Sequence, residues 1–555
     1  MLLYLSLSSF IIFKNTKQTY GVNDDVIIQN WLSGFYTGSP EFMIRGSATP
    51  RITFGFIVSN LYKLIPSINW YSFILLALVV LSWYLLGLIA IRSTNILVYG
   101  TYLVVSFLHL LWFIPSPTYT ASSIIASFTI VVYALKQILE DVVSKNLIAL
   151  SIIYAFAFLV RPESFFVGTI VTVPFILFIL FKRREVLKKS HRIIITSIIT
   201  AATIIGVDVI FEIMYYHNNQ NWTQYRDWET SRYRIQANAP EKALLDNPNK
   251  YGWTEASAEV FASYNAIDPE YFSTRKLNQL IQDTQVITQV DFDFIKKSHQ
   301  QIFDSDVNWE WNRLIQIIAI IFLIFLLLSI PKPLEYIFLS TTSIGIIYVI
   351  MFYVAGFLRQ PERVQVSIIF LCILVSWVSF SFTEKKIFRT YVDQFIYASL
   401  LLFILVLSSA FNQASYLTTK VAGASNAFWY TQSRFLSFFP KDSIFVGNAS
   451  QFRNNWSSPY KLEYFEPEKR IMSFGWHNFS PHWVKRAQNL GLDPNNILQS
   501  VIADKRVFWV SDVDSMQNIV NFMIEKGYQF KGPERVGQLE YVGSRYTVWN
   551  FDLSD

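Results

Sequence analysis

Two adjacent carboxylates follow the first apolar run of the sequence. Asp24 and Asp25 lie in GVNDDVIIQNWLSGFYTGSP, a few residues beyond the run Leu2 to Phe13. A carboxylate beside a hydroxyl group can act as a general base and take its proton as the oxygen attacks. Asn and Asp are also favoured where helices begin, and VIIQNWLSGFY predicts a helix. This stretch alone is interpreted equally well as a helix cap or as a catalytic group.

Arginine-bearing segments are the second set of residues that could do chemistry. A planar guanidinium binds phosphate or carboxylate through two parallel hydrogen bonds, so these arginines are candidates for holding an anionic lipid headgroup. Taken singly, such an arginine could simply reach lipid phosphates from a helix end, and the Tyr and Trp residues of 222–233 could anchor the chain at the interface. The candidates are Arg161 and Glu163 in RPES, Arg359 and Arg363 in RQPER, and Tyr225, Arg232 and Arg234 in NWTQYRDWETSRYRI.

The composition is that of a membrane protein. Of the 555 residues, 52% are hydrophobic and only 15% are charged, and the mean hydropathy is +0.32. An ordinary soluble domain carries about 25% charged residues. The lipid bilayer is therefore an expected partner. A single cysteine, Cys372, excludes an intrachain disulfide.

Apolar runs predict about eleven transmembrane helices, since a span of the bilayer requires roughly 20 apolar residues. The first run is short, but it lacks the basic start and the cleavage site of a signal peptide, so we interpret it as a helix. The runs are Leu2 to Phe13, 70–91, 96–115, 118–136, 146–160, 164–181, 193–214, 313–330, 334–354, 364–382 and 391–410.

Two basic segments orient these spans. KRREVLKKSHR (Lys182 to Arg192) and EKKIFR (Glu384 to Arg389) are predicted to be cytoplasmic loops, because such loops are enriched in Lys and Arg. The N-terminus is then cytoplasmic as well. Segments 14–69 and 215–312, and everything after about Phe411, are predicted outside. RPES and RQPER fall on the same outer side, together with the two carboxylates.

The C-terminal part has the pattern of a water-soluble α/β domain. DSIFVGN (442–448), RVFWVSD (506–512) and RYTVWNFD (545–552) predict strands, and residues 515–528 predict a helix that ends at Gly527. No catalytic motif is found in it.

Two domains are therefore predicted. The first is a transmembrane domain, 1–414, with external loops 14–69 and 215–312. The second is an extracytoplasmic α/β domain, 415–555. The cytoplasmic loops are short and hold no nucleotide-binding signature, and no nucleic-acid partner is expected.

Three further ionisable residues fall in or near the spans. Asp208 lies late in the run 193–214 and is a functional candidate, because acids inside the bilayer are costly. Glu212 is close enough to the interface to be interpreted as solvated, and His109 as a satisfied residue of the helix bundle. The six His are scattered without zinc-like spacing, so no metal is indicated, although a divalent ion is not excluded.

These segments together resemble the GT-C superfamily of polytopic glycosyltransferases, especially the bacterial type that uses polyprenyl-phosphate sugars. GVNDD resembles the family's acidic first external loop, and VRPES resembles its R-P-E/D turn. RQPERV is similar to its late P-x-R loop, and NWTQYRDWETSRYRI to its W-x-x-Y segment followed by arginine. A C-terminal extracytoplasmic domain is also common in that family.

The resemblance implies a function as well as a fold. The fold would be GT-C-like, and the protein would move a sugar from a polyprenyl phosphate to a glycan or cell-envelope polymer outside the cell membrane, with inversion. One of Asp24 and Asp25 would be the base. Arg161, Arg359 and Arg363 would hold the lipid phosphate. The W-W-D motif of metal-dependent oligosaccharyltransferases is absent from the sequence, which argues against a metal cofactor and a protein acceptor.

Three alternatives remain open, the weakest of which is a sensor or scaffold whose C-terminal domain is the working part. A polysaccharide polymerase or ligase has a similar number of spans, but its chemistry is expected in one large late loop rather than after the first span. A flippase or transporter without covalent chemistry is expected to show internal repeats and charges near mid-bilayer. The sequence shows no such repeat.

Overall fold

The computed structural model describes residues 1–16, 18, 20, 23–44, 50–93, 96–236, 239–284, 333–357, 362–383, 435–448, 459–460, 470–541 and 544–551. Within them the chain divides into two compact units. Unit 1 comprises Met1–Gln18, Tyr71–Ile210 and Val290–Gly423, and unit 2 comprises Thr19–Trp70, Phe211–Gln289 and Ala424–Asp555. The predicted spans 313–330 and 391–410, the basic segment 384–389 and Arg359 lie outside the described residues.

Helices make up most of the described chain. The described residues up to 284 form fourteen α-helices: α1 Leu2–Asn15, α2 Asn23–Leu32, α3 Ile52–Leu64, α4 Trp70–Arg92, α5 Ile96–Phe113, α6 Tyr119–Leu139, α7 Asn146–Val160, α8 Pro162–Ile170, α9 Val173–Lys182, α10 Arg184–Asn218, α11 Gln220–Gln236, α12 Ala239–Asp246, α13 Glu255–Ala262 and α14 Thr274–Asp283. The described helices after them are Pro333–Phe357, Glu362–Thr383, Pro481–Asn489, Ile497–Ala503 and Val513–Glu525.

Every predicted span that falls on described residues is an apolar helix. Five of these helices are long and apolar enough to cross a membrane, and α8 with α9 makes a sixth if this pair, bent by 42°, counts as one span. Helices α1, α3, α5 and α7 are apolar but shorter. Helix α3 was not among the predicted spans, because its 13 residues reach only about 20 Å at 1.5 Å per residue.

One predicted loop is helical instead. The basic segment 182–192 was expected to be a loop, but α9 ends at Lys182 and α10 begins at Arg184, so that all but one residue of it is helical. Lys, Arg and Glu are good helix formers, and Glu185 pairs with Lys188 one turn away at 3.0 Å. The two helices are therefore joined by Arg183 alone.

Helix α6 is the centre of unit 1. It packs against α7, α8 and the helix Glu362–Thr383. In α6, 78% of the apolar stretch is buried inside the protein, whereas in α10 only 11% of the corresponding stretch is buried. A helix that exposes so much apolar surface is suited to lipid rather than to water. Glycine 168 lets α8 approach α6 closely, since a Cβ there would stand 2.4 Å from the carbonyl oxygen of Ile124.

Unit 2 is built from three segments that are far apart in sequence. One hydrophobic core of the described residues contains Ile52 from the first segment, Trp228 and Phe272 from the second, and Trp483 and Trp509 from the third. None of the three segments could bury so much apolar surface alone. They are the segments that the charge distribution predicts outside the membrane, and that sidedness stays a prediction.

A mixed five-stranded sheet forms the C-terminal part of unit 2. Its strands are β1 Ile444–Asn448, β2 Ile471–Phe474, β3 Val507–Ser511, β4 Pro533–Tyr541 and β5 Ser544–Phe551. The order is β2-β1-β3-β5-β4. Strands β1, β2 and β3 are parallel, and β5 is antiparallel to both β3 and β4.

The sequence predictions for this domain are confirmed in their elements. Strands β1, β3 and β5 fall on the three predicted strands, and Val513–Glu525 on the predicted helix. Gly527 ends that helix with φ +80°, a conformation that glycine adopts without strain. The chain is thus an α-helical polytopic membrane protein with a C-terminal α/β domain.

Candidate functional site

Asp24 and Asp25 lie in the first turn of α2, which begins at Asn23. Carboxylates are favoured there by the partial positive charge of a helix N-terminus. The two differ in environment, because Asp25 is fully buried whereas Asp24 is only partly buried. Both roles considered from the sequence therefore remain, but only Asp24 is open to solvent.

Aromatic rings and imidazoles pack together around the C-terminal end of α2, which carries Trp31. We define the Trp31 cluster as Trp31, Tyr36, Trp476, His477 and His482. The ring of Trp31 lies 5.4 Å from that of Trp476, 6.2 Å from that of His477 and 4.6 Å from that of His482. All members are buried except Trp476, which is half-buried. The first segment of unit 2 and the α/β domain therefore share one aromatic cluster.

His477 is held in one tautomer. Its Nε2 lies 3.0 Å from the carbonyl oxygen of Ser473. A carbonyl can only accept, so Nε2 carries the proton and Nδ1 is left as an acceptor. Burial lowers the pKa of His477 to about 3, although the Ser473 carbonyl and the Asp24 carboxylate act in the opposite direction. The imidazole is therefore neutral, and Asp24 is close enough to act on it electrostatically.

The segment that carries His477 is fixed from several sides. It follows β2, and in open α/β sheets ligands bind beyond the carboxyl ends of parallel strands. Tyr225 Oη donates to the carbonyl of Trp476 at 3.1 Å, and Asn478 Nδ2 donates to the carbonyl of Ala266 at 2.9 Å. Phe479 has φ +62°, which is unusual for an aromatic residue and points to local strain.

The helix Pro481–Asn489, which follows this segment, contacts the polypeptide between α2 and α3. His482 Nε2 bonds to the carbonyl of Met43, and Lys485 pairs with Glu41 at 3.0 Å. Burial lowers the pKa of His482 to about 4. The polypeptide just after α2 is thus positioned by the α/β domain.

Arg232 is committed to partners within α11. Its Nε and Nη2 donate to the two carboxylate oxygens of Glu229 at 2.6 and 2.8 Å, and its Nη1 donates to Gln236. The side chains of Arg232 and Glu229 are 5% and 2% exposed. The carboxylate raises the pKa of Arg232 against the opposing effect of burial. The pair is a buried, bidentate ion pair beside the cluster.

Arg161 stands at the break between α7 and α8 in unit 1. Its backbone is extended, and Pro162 follows as the first residue of α8. The guanidinium donates to Thr120 through Nη1 and lies 4.7 Å from the ring centroid of Tyr119. Its Nε has no hydrogen-bond partner among the described residues. Glu163 is a weak neighbour at 3.9 Å and is 60% exposed.

The remaining predicted residues have different surroundings. Tyr225 is buried in the core of unit 2, and Arg234 is exposed on α11. Arg363 lies in the first turn of the helix Glu362–Thr383, and its side chain is not among the described parts of the structure. Arg359 lies outside the described residues.

Two interpretations made from the sequence are wrong. Glu212 was expected to be solvated, but it is 6% exposed and forms an ion pair with Arg51 at 2.5 Å. Trp222 and Trp228 were expected to anchor the chain at the lipid interface, but both are buried in the core of unit 2. The ion pair and the core that buries the two tryptophans both join residues that are distant in the chain.

Two of the other sequence candidates are buried in unit 1. His109 accepts a hydrogen bond from Trp83 Nε1 at 3.1 Å, as expected for a satisfied bundle residue. Asp208 is fully buried in α10. In the part of the chain that the structure describes, no three His, Cys, Asp or Glu side chains are grouped closely enough to hold a metal ion.

The two buried imidazoles predict acid sensitivity of unit 2. Their pKa values in the folded protein, about 3 for His477 and about 4 for His482, lie below the value near 6.5 of an unfolded chain. Between these limits the unfolded state binds more protons, so the free energy of unfolding falls as the pH falls below about 6.5. Each histidine contributes up to about 1.4 kcal/mol per pH unit.

Thermal unfolding of the detergent-purified protein at pH 7.5 and 5.5 measures this effect. We expect a lower Tm at pH 5.5, and a smaller decrease in His477→Asn/His482→Asn. Equal decreases in the two proteins would contradict an origin in these imidazoles.

Comparison with solved structures gave a distant match. The fold and the apolar helices define a polytopic membrane protein with an attached α/β domain. A solved structure with a similar layout is "Crystal Structure of ArnT from Cupriavidus metallidurans bound to Undecaprenyl phosphate", with which the alignment covers 99% of this chain and 97% of that chain. The identity is 10% and the TM-score is 0.41, too low for an argument about activity. Neither protein-family models nor curated proteins gave a match.

Proposed function

We propose that this protein is a GT-C-type membrane glycosyltransferase that moves a sugar from a polyprenyl phosphate to a hydroxyl of an extracytoplasmic glycan or envelope polymer. The observation that carries the proposal is the partly buried Asp24 carboxylate in the first turn of α2, the helix that also carries Trp31, within electrostatic reach of His477. A base, aromatic rings and imidazole in one place suit a sugar hydroxyl better than an ion or a lipid tail. No metal is required in this proposal.

Asp24 is the better candidate for the base, since Asp25 is fully buried. Asp24 takes the proton of the acceptor hydroxyl as its oxygen attacks the anomeric carbon. The bond from that carbon to the phosphate oxygen breaks, and the polyprenyl phosphate leaves with the electron pair. Attack opposite the leaving group inverts the anomeric centre. Asp25 is assigned to hold the first turn of α2.

Arg161 is the proposed ligand of the lipid phosphate. Thr120 and Tyr119 fix the plane of its guanidinium, while Nε is left without a described partner in a nearly buried position. A phosphate oxygen would satisfy Nε, and charge-assisted bonds of this kind are strong. Arg359 and Arg363 are proposed to assist, and Tyr225, Arg232 and Arg234 to shape the acceptor side.

The direct test is a transfer assay. Purified protein in nanodiscs is incubated with radiolabelled polyprenyl-phosphate sugars, and the release of polyprenyl phosphate and the labelled product are measured. Release of free phosphate lipid by the wild type supports the proposal. Intact donor with every sugar tried, in a folded protein, would contradict it.

Arg161→Gln is expected to weaken donor use. It removes the charge while keeping a polar group beside Thr120, so we expect KM for the donor to rise by about 10- to 100-fold, the loss of one to two charge-assisted bonds. Arg161→Lys should recover only part of this, because an ammonium lacks the planar fork. The matched control is Arg92→Gln, which removes a half-exposed arginine paired with Glu140 in the same unit. Equal KM in Arg161→Gln and Arg92→Gln would refute this role.

A polymerase or ligase is the second candidate. The chemistry of that class is expected in one large late loop, and the second segment of unit 2 together with the mixed sheet would supply this part. That reading would place the chemistry there alone, so it predicts no loss of activity on replacing Asp24.

A further inference from the structure

Several buried polar atoms of the Trp31 cluster have no hydrogen-bond partner among the described residues: Nδ1 of His477, Oη of Tyr36 and the indole nitrogens of Trp31 and Trp476. His477 is fully buried, its Nε2 proton is given to the carbonyl of Ser473, and Nδ1 makes no hydrogen bond to any described residue. Burying such an atom unpaired is unfavourable, because its hydrogen bond to water is lost without replacement. Partnerless polar atoms of this kind are uncommon in folded proteins and call for an explanation, such as a bound ligand.

The surroundings of Nδ1 suit a sugar. The rings of Trp31, Tyr36 and Trp476 stand edge-on to the imidazole, with centroids 5.6–6.2 Å away. A pyranose has apolar C–H faces that pack on aromatic rings and hydroxyls that donate hydrogen bonds. Trp476 is the half-buried member of the cluster, and its ring lies 5.6 Å from the imidazole, so the sugar is assigned to its side of His477.

The position in the fold agrees with a ligand site. His477 and Trp476 follow the carboxyl end of β2, where ligands bind in sheets with parallel strands. The Asp24 carboxylate acts on the same imidazole. The C-terminal domain thus contributes an imidazole within electrostatic reach of the proposed base.

We propose that Nδ1 of His477 accepts a hydrogen bond from a hydroxyl of a bound sugar that packs against Trp476, the half-buried ring of the cluster. His477 is a binding and specificity residue in this assignment, not a proton carrier. The assignment of the sugar to a glycosyl-transfer substrate rests on the proposed function, whereas the sugar site itself does not. The hydroxyl can belong to the donor sugar or to the acceptor.

The proposal rests on the imidazole of His477 and not on the indole nitrogens of the cluster, because indole nitrogens without a partner also occur outside the cluster. Trp483 and Trp509 have buried Nε1 atoms without described partners in the core of unit 2. An unbonded indole N–H is therefore tolerated in this protein and is no sign of a ligand. This makes Trp509→Phe a suitable control, because it removes such a group away from the cluster.

Two replacements of His477 separate its two nitrogens. In His477→Asn the amide stands near the position of Nδ1 and can accept a hydrogen bond, whereas in His477→Gln it reaches the position of Nε2 and can donate to Ser473. If Nδ1 binds sugar, His477→Asn retains binding and His477→Gln loses it. If His477 only fixes the loop through Ser473, the order is reversed.

The experiment uses the full chain in nanodiscs and two probes. Methyl β-D-glucopyranoside and methyl N-acetyl-β-D-glucosaminide are titrated by saturation-transfer NMR, and farnesyl phosphate glucose is used in a donor-hydrolysis assay. We expect His477→Gln to raise Kd or KM by about tenfold, the loss of one hydrogen bond. His477→Asn and Trp509→Phe should stay within about twofold of the wild type, on the same principle.

Each outcome has a definite meaning. A change confined to the methyl glycosides assigns the hydroxyl to the acceptor, and a change confined to the farnesyl compound assigns it to the donor. Sugar binding that depends on His477, in a protein that leaves every polyprenyl-phosphate sugar tried intact, keeps this inference and contradicts the proposed function. The inference is overturned if His477→Gln keeps the Kd or KM of the wild type while His477→Asn raises it, or if Kd and KM are equal in all variants.

Discussion

Asp24→Asn is expected to lower sugar transfer by about 10²- to 10⁴-fold, the usual contribution of a general base, while the protein stays folded. Asparagine keeps the shape and the hydrogen bonding of a helix start but cannot take a proton. Losing a first-turn carboxylate costs about 0.3–1 kcal/mol of stability, so most of the molecules remain native. The rate of transfer from a radiolabelled polyprenyl-phosphate sugar and the Tm of the same preparation are the two measurements.

Glu255→Gln is the matched control for this effect. Glu255 is also an acidic residue in the first turn of a helix of unit 2, α13, and it is exposed. Its replacement should change Tm about as much as Asp24→Asn does and leave transfer unchanged. A loss of transfer in both variants would mean that helix stability, not a base, had been measured. Full transfer in Asp24→Asn would remove the carboxylate from the mechanism.

Asp25→Asn is expected to behave differently. Asp25 is fully buried, so its replacement disturbs the start of α2 and should lower Tm. If transfer per folded molecule falls more in Asp25→Asn than in Asp24→Asn, the roles of the two acids must be exchanged.

Elements that depend on local pattern could be predicted from the sequence. The apolar runs, the break before Pro162 and the end of a helix at Gly527 follow from hydrophobicity and backbone conformation within a few residues. The placement of Asp24 at a helix start is of the same kind. Such features need no knowledge of the rest of the chain.

Contacts across hundreds of residues could not be predicted in this way. The ring contact between Trp31 and His477 joins residues more than 400 positions apart in the sequence, and the ion pair of Arg51 with Glu212 also joins distant segments. The aromatic side chains of α11 have the composition of a lipid interface, and only the core shows that they are buried. One signal was available: GWHNFSPHW places two His and two Trp just after the apolar residues of β2.

The arrangement of unit 2 gives the α/β domain a positioning role. Its helix Pro481–Asn489 bonds to Met43 and pairs with Glu41, and its segment after β2 packs on Trp31. Because α2 carries the two acids, any displacement of this domain would move the loop next to them. The domain is therefore coupled to the candidate base through contacts within one compact unit.

The buried pair of Arg232 and Glu229 is expected to have the largest effect on stability. Removing one partner leaves an uncompensated charge in the interior, which typically costs about 3–5 kcal/mol. We therefore expect Arg232→Met to lower the Tm of unit 2 strongly, since Glu229 is 2% exposed and would lose two hydrogen bonds. Limited proteolysis of the purified protein at several temperatures reports the unfolding of this unit separately from the helical bundle.

Arg226 and Asp227 provide the control on the same helix. Their side chains are 41% and 54% exposed and 3.4 Å apart, and an exposed pair contributes only about 0–1 kcal/mol. Arg226→Met should therefore leave the proteolysis temperature nearly unchanged. The double variant Arg232→Met/Glu229→Leu removes both buried charges and should recover most of the loss, as replacing a whole buried pair by apolar groups often does. If the double variant is as unstable as Arg232→Met, the cost comes from lost packing against Tyr264 rather than from an unpaired charge.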